Sequence, residues 1–206
     1  MTSPEARFDA VVLAGGSGRR LGGVDKPGLD AGGMTLLDRV LTACAGTGAG
    51  PERTVVVGPE RPTARPVAWA REDPPGGGPL AAFAAGLATL ARLGPGPDRV
   101  LLLASDLPLL RPTDLAGLLD PPPDADAVVL VDATGRRQPL TALYRAAAAW
   151  AALAHLGDLT GRPLRGLLAE LTVTERPARP SATDDCDTPA DLAAARRRLA
   201  APSQPH

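Results

Sequence analysis

Aromatic residues make up only 2% of this 206-residue chain, and histidine and cysteine occur twice each. So few rings exclude the stacking platforms by which proteins hold single-stranded nucleic acid. Cys44 and Cys186 stand in neither a C-x-x-C nor any other metal-ligand spacing. Reduced thiols in a cytoplasmic protein are the simplest reading. His206 lies in the terminal "APSQPH", and His155 sits in an apolar helix as a surface or packing residue. A Ser-His-Asp hydrolase is therefore disfavoured. No apolar run is long enough for a membrane span, and "MTSPEARFDA" has no signal-peptide core, so no membrane partner is expected. The formal net charge of -1 gives no broad basic field, so no nucleic-acid partner is expected either. Lysine is scarce beside Ala, Pro, Gly and Arg, which reads as compositional bias rather than a functional signal.

The length fits one domain over residues 1–200, with 201–206 as a disordered tail. Short apolar or alternating runs predict strands at "DAVVLA" (9–14), "RTVVVG" (53–58), "PVAWA" (66–70), "RVLLLASD" (99–106), "AVVLVD" (127–132) and "PLTALYR" (139–145). Helical spacing marks "MTLLDRVLTACA" (34–45), "PLAAFAAGLATLARL" (79–93), "RAAAAWAALAHL" (145–156), "RPLRGLLAEL" (162–171) and "TPADLAAARRRLA" (188–200). A short helix after Arg111 is expected to be capped by Thr113, and the last helix by Thr188 with Pro189 at its first position. Cys44, Cys186, Trp69 and Trp150 read as packing, and Arg196 to Arg198 as a solvated helix end. "DPPPDAD" (120–126) reads as a loop. Strands alternating with helices imply a parallel, doubly wound sheet, which binds ligands beyond the carboxyl ends of its strands.

The first strand runs into "AGGSGRRLGGVDK" (14–26), with five glycines, two arginines and a lysine. Glycine lets backbone N–H groups approach an anion, and the cations add fixed charge. Val24 stands where a P-loop needs lysine, and the G-x-G-x-x-x-G spacing is not the dinucleotide fingerprint. A phosphate loop and a plain structural turn both remain open on this stretch alone. Asp106 ends an apolar strand, where an acid meets ligand, though turns and caps use Asp as well.

"LAGGSGRRLGGVDK" (13–26) resembles the L-A-G-G-x-S-x-R-M-G-x-D-K signature of the molybdenum cofactor guanylyltransferases, with Leu21 in place of Met. "EDPPGGGPLAAFAAGL" (72–87), "LLLASDLPLL" (101–110), "RRQPLTALYR" (136–145) and "DDCDTPADL" (184–192) resemble that family's later motifs, in order. The resemblance implies a three-layer α/β/α Rossmann-like nucleotidyltransferase fold with a mostly parallel central sheet. It implies transfer of GMP from GTP to molybdenum-bearing molybdopterin, with Mg²⁺ and release of pyrophosphate. Transient molybdenum-insertion partners are implied too.

The same resemblance implies residue roles. Leu13, Ala14, Gly15 and Gly16 would hold the base and ribose end. Arg19, Arg20 and Lys26 would bind phosphates, with Arg20, Lys26 and Asp106 serving catalysis. Asp73 would recognise guanine, with Gly78 beside it, and Asp106 would hold Mg²⁺ with Asp185 as a second ligand. Asp187 could simply support the last helix cap, and Gln138 and Pro139 could face the second substrate. Gly15, where cytidylyl relatives carry Ala, points to GTP over CTP. Related cytidylyl, sugar-phosphate or phospholactate transferases stay open, as do a GTP-binding protein without catalysis and an NADP-dependent oxidoreductase.

Overall fold

The computed structural model describes residues 7–15, 24–48 and 50–201. Seven strands form one sheet: β1 (Phe8–Leu13), β2 (Thr54–Val57), β3 (Ala68–Ala70), β4 (Arg99–Ala104), β5 (Ala127–Val131), β6 (Arg137–Arg145) and β7 (Val173–Pro177). Their order across the sheet is β3-β2-β1-β4-β6-β5-β7. All neighbours are parallel except β6, which runs antiparallel to both β4 and β5. The sheet is mostly parallel, as expected, and the exception has a simple reason. Only Asp132–Arg136 separates β5 from β6, too short for the helical crossover that a parallel pair requires.

Alternation along the strands divides the core. Ala10, Val12, Leu101 and Leu103 face a layer built on α1 (Leu36–Ala45) and α3 (Pro112–Ala116). Val11, Val100 and Leu102 face α2 (Pro79–Arg92), α4 (Ala146–Leu156) and α5 (Arg165–Leu168). A three-layer α/β/α Rossmann-like architecture results. Gly86 lets α2 lie close on the sheet, since a Cβ there would fall 2.5 Å from a Val11 methyl. Phe83 of α2 and Tyr144 of β6 stack tilted with ring centroids 5.1 Å apart, a contact worth about 0.5–1.5 kcal/mol beyond burial. At the amino end of the sheet the buried Asp9 takes a forked ion pair from Arg53, whose Nη1 also donates to the Leu90 and Gly94 carbonyls.

Several local expectations change. α3 is capped at Arg111, not Thr113: Pro112 takes the first helical position, and Asp114 accepts from the Arg111 N–H at 2.8 Å. α5 is one turn long (Arg165–Leu168), shorter than the helix expected over 162–171: it starts only after Pro163 and carries the weak helix former Gly166 within it. β7 was not expected. It is a charged edge strand ending in Pro177, a composition that protects an open edge but hides the strand pattern. Trp150 is 40% exposed on the outer face of α4 rather than packed, whereas Trp69 lies half-buried against the core. Cys44 and Cys186 are buried, and burial pushes the Cys44 thiol up to about 12. Among the described residues no helix is long and apolar enough to cross a membrane.

α6 (Pro189–Ala200) closes the chain. Its Leu192 packs with Ala31, Leu36 and Cys186, and Arg196 donates to the Asp30 carbonyl. These contacts fasten the carboxyl-terminal segment to the stretch that follows the glycine loop.

Candidate active site

The carboxyl ends of β1 and β4 open into a cavity of about 730 Å³, within the range of small-molecule sites. β1 delivers Leu13 and Gly15 to its lining, and β4 delivers Ala104, Ser105 and Asp106. The two exits are stitched together, Ser105 N–H donating to the Leu13 carbonyl at 3.0 Å. Ala14 is buried behind the lining. Gly16, Arg19 and Arg20 fall outside the described residues.

Lys26 starts a single 3₁₀ turn (Lys26–Gly28) and is the one lysine in the sequence. Its side chain is only 15% exposed, and its ammonium lies 2.5 Å from Asp106 Oδ2 and 2.5 Å from Asp187 Oδ1. Burial by itself would lower the pKa of Lys26, but the two carboxylates outweigh it and hold the ammonium above its ordinary value. The acids meet because the Cys186 N–H donates to the Asp106 carbonyl at 3.0 Å, joining the 183–187 segment to the end of β4. Thr188, not Asp187, is the cap of α6. Thr188 and Asp191 form a reciprocal capping box, and Asp191 Oδ2 accepts even the Asp187 N–H. The Asp187 carboxylate goes to Lys26.

Asp185 lines the same cavity. Burial, then the negative charges of Asp187 and Asp106, hold its carboxyl above the usual range. Across the cavity stand Glu72, Gly76, Gly78 and the first turn of α2. Gly78, at φ 91°, caps that helix, so a 14-residue helix directs its positive end at the space. Glu72 Oε1 accepts from the Gly76 N–H at 3.0 Å. Asp73, the acid expected on the guanine, is exposed and outside the lining, while its neighbour Glu72 is in it. A one-residue shift of this kind is invisible in "ED". His155 is exposed, 3.7 Å from Glu170, and away from the cavity.

The structure therefore gathers Leu13, Gly15, Lys26, Gly78, Asp106 and Asp185 around one space. It adds Glu72, Asp187 and Thr141, which sequence reasoning did not single out as ligands, and includes Gln138. Among the described lining residues, four carboxylates face one ammonium. On these residues alone the space repels a polyphosphate unless cation is added, and Arg19 and Arg20 lie outside the described residues. Oxygen donors alone suit a hard ion such as Mg²⁺, which needs just one or two carboxylates when phosphates and water complete its shell. Among the described residues no three acidic, histidine or cysteine side chains converge into a ready metal cage. A cation held jointly with a nucleotide fits this donor set better than a resident ion.

The MobA-like NTP transferase domain signature matches residues 10–200, and the chain belongs to that family. Its fold is that of molybdopterin-guanine dinucleotide biosynthesis protein A from Archaeoglobus fulgidus, at TM-score 0.66 and 23% identity over 93% of this chain and 98% of that one. A nucleotidyl transferase from Methanothermobacter superposes at TM-score 0.73 and 23% identity, covering 94% and 97%. The 2-C-methyl-D-erythritol 4-phosphate cytidylyltransferase of Thermus thermophilus does so at 0.69 and 18%, covering 93% and 98%. No curated protein matches the sequence significantly.

Proposed function

We propose that this MobA-like nucleotidyltransferase moves GMP from GTP to molybdenum-bearing molybdopterin, with Mg²⁺, releasing pyrophosphate. The observation that carries the reading is the Lys26 ammonium held between Asp106 and Asp187 at the carboxyl edge of the sheet, beside the glycine loop. An oxygen of the acceptor's phosphate attacks the α-phosphorus, the bond to the β-phosphate oxygen breaks, and the pyrophosphate leaves with its electron pair. The nucleophile is already an anion, so alignment and charge neutralisation matter more than a general base.

In this reading Asp106 and Asp185 hold Mg²⁺, which when bound neutralises phosphate charge. Arg20 and Lys26 bind the triphosphate, and Asp187 anchors Lys26 until the nucleotide arrives. The base lies between Gly15 and Glu72. A Cβ on Gly15 would point toward Glu72 Oε1, 3.9 Å away, so the missing methyl leaves room for a purine. Glu72 offers an acceptor to the N–H edge that guanine carries. Molybdenum-insertion proteins would deliver the acceptor transiently.

The test is pyrophosphate release by purified protein with Mg²⁺, GTP or CTP, and molybdenum-loaded molybdopterin, sugar 1-phosphate or phospholactate. Release confined to GTP with molybdopterin supports the reading. Preference for CTP or another acceptor replaces it with the related transferase so identified. Stabilisation by GTP without release from any acceptor indicates a binding protein, and stabilisation by NADPH instead indicates an oxidoreductase.

A further inference from the structure

On the far side of Asp106 from Gly15, the cavity has a wall that fixes one side chain. Sheet order places β1, with Gly15 at its exit, on one side of β4 and places β6 on the other. β6 contributes Gln138, Leu140 and Thr141 to the lining. They sit there because the β5–β6 ladder is interrupted. Val129 pairs with Ala142, but the next residue, Leu130, pairs with Gln138, so 139–141 bulge from that ladder. The buried Tyr144 donates its hydroxyl to the Pro139 carbonyl at 2.8 Å and fastens the bulge from behind. Bulges re-aim side chains beside active sites.

Gln138 is fixed in rotation as well as in place. Its Nε2 donates to Asp132 Oδ2 at 2.7 Å. The other oxygen, Asp132 Oδ1, accepts from Thr134 Oγ1 at 2.6 Å, Thr134 N–H at 2.8 Å and Arg136 N–H at 3.1 Å. Held by those donors and by Gln138 itself, the carboxyl stays ionised down to about 2 and can only accept. The Gln138 amide must therefore turn its NH₂ to Asp132, which leaves its carbonyl oxygen to the occupant of the cavity.

We infer that Gln138 determines acceptor specificity: its carboxamide oxygen, oriented by Asp132 on the β5–β6 bulge, accepts a hydrogen bond from an N–H or O–H donor on the body of the phosphate-bearing acceptor. Asp132 is a positioning residue. The inference rests on the nucleotidyl-transfer reading above but not on the acceptor's being a pterin. Ring N–H groups of a pterin and hydroxyls of a sugar both supply the donor, whereas phospholactate at neutral pH supplies none.

The experiment first finds which of molybdenum-loaded molybdopterin, a sugar 1-phosphate and phospholactate the wild type uses with Mg²⁺ and GTP, or with CTP if GTP is refused. Acceptor kinetics then follow for Gln138→Met, an isostere without the carbonyl, and for Asp132→Asn. The expected result for Gln138→Met is a rise in acceptor KM of about tenfold or more, a smaller fall in kcat, nucleotide affinity within about twofold of wild type and a retained melting temperature. Asp132→Asn keeps its one oxygen on the Thr134 and Arg136 N–H groups and presents its NH₂ to Gln138, so the Gln138 amide flips, its carbonyl leaves the cavity and the acceptor KM rises in this variant too. An unchanged acceptor KM in Gln138→Met overturns the inference. So does a wild type that prefers phospholactate or uses none of the three. Use of the sugar phosphate with the predicted loss in Gln138→Met would overturn the molybdopterin reading and leave this inference standing.

Discussion

Asp106 and Asp187 share one ammonium. They lie 80 and 161 residues along the chain from Lys26, and its Nζ stands 2.5 Å from each. The contact joins Lys26 to the end of β4 and the segment before α6, so one side chain ties together three of the stretches that line the cavity. A compact, rotatable ammonium suits that position and can turn from carboxylate to phosphate. A flat guanidinium is wider and prefers a forked partner.

Loss of Lys26 is expected to be costly for that reason. Lys26→Ala should lower kcat/KM for the nucleotide by about 10²–10³, the range for removing one charge-stabilising donor. Lys26→Arg should recover only a minor part of it. Steady-state pyrophosphate release checks both, and near-wild-type activity in Lys26→Arg would show that charge alone suffices.

The acids should separate by role. Mn²⁺ binding in the presence of nucleotide, read by electron paramagnetic resonance, should weaken about tenfold or more in Asp106→Asn and Asp185→Asn, at least the loss seen for outer-shell partners of metals. Asp187→Asn should keep Mn²⁺ affinity nearer wild type and raise the nucleotide KM instead, because it releases Lys26. The reverse pattern would make Asp187 the second metal ligand.

Gly15→Ala should reduce the preference for GTP over CTP by about tenfold or more, since one methyl group in a pocket is worth about 1–3 kcal/mol. Among the described residues the methyl meets only Glu72 Oε1, at 3.9 Å, so the variant should fold normally. Competition between the two triphosphates in one assay gives the ratio directly, and an unchanged ratio would remove Gly15 from base selection.

Acid should loosen the β5–β6 turn. The Asp132 carboxyl is lowered from 3.8 to about 2 in the folded chain, through the Thr134 hydroxyl first and then the Arg136 N–H. Between those values the unfolded chain binds more protons, so stability rises with pH. The contribution is full above 3.8 and lost as pH falls toward 2. Chemical denaturation across that window should show a steeper acid limb for the wild type than for Asp132→Asn, and parallel limbs would contradict the assignment.

The parts of the molecule legible in the sequence are those with local signals. β1, β2 and β4 are short apolar runs buried on both faces, and Thr188-Pro189 marks the start of α6. Asp106 is found at the end of a buried strand, and Lys26 at the end of a glycine-rich stretch. What stayed hidden depends on tertiary placement. β7 is half-exposed and charged, so no apolar alternation betrays it. Asp187 reads as a capping residue until Asp191 is seen filling that position. Glu72 and Asp73 are adjacent acids, and only the path of the chain into α2 decides which one faces the cavity. The antiparallel β6 could have been inferred from the short Asp132–Arg136 turn between it and β5.

The central claim is transfer of the α-phosphoryl group with its nucleoside, and following the label tests it most directly. GTP labelled at the α-phosphorus is incubated with Mg²⁺, molybdenum-loaded molybdopterin and the protein, beside an Asp106→Ala control. The account predicts that the α label appears in the acceptor product, that a γ label appears in pyrophosphate, and that both vanish in the control. A γ label in the acceptor, or no label transferred at all, would contradict it.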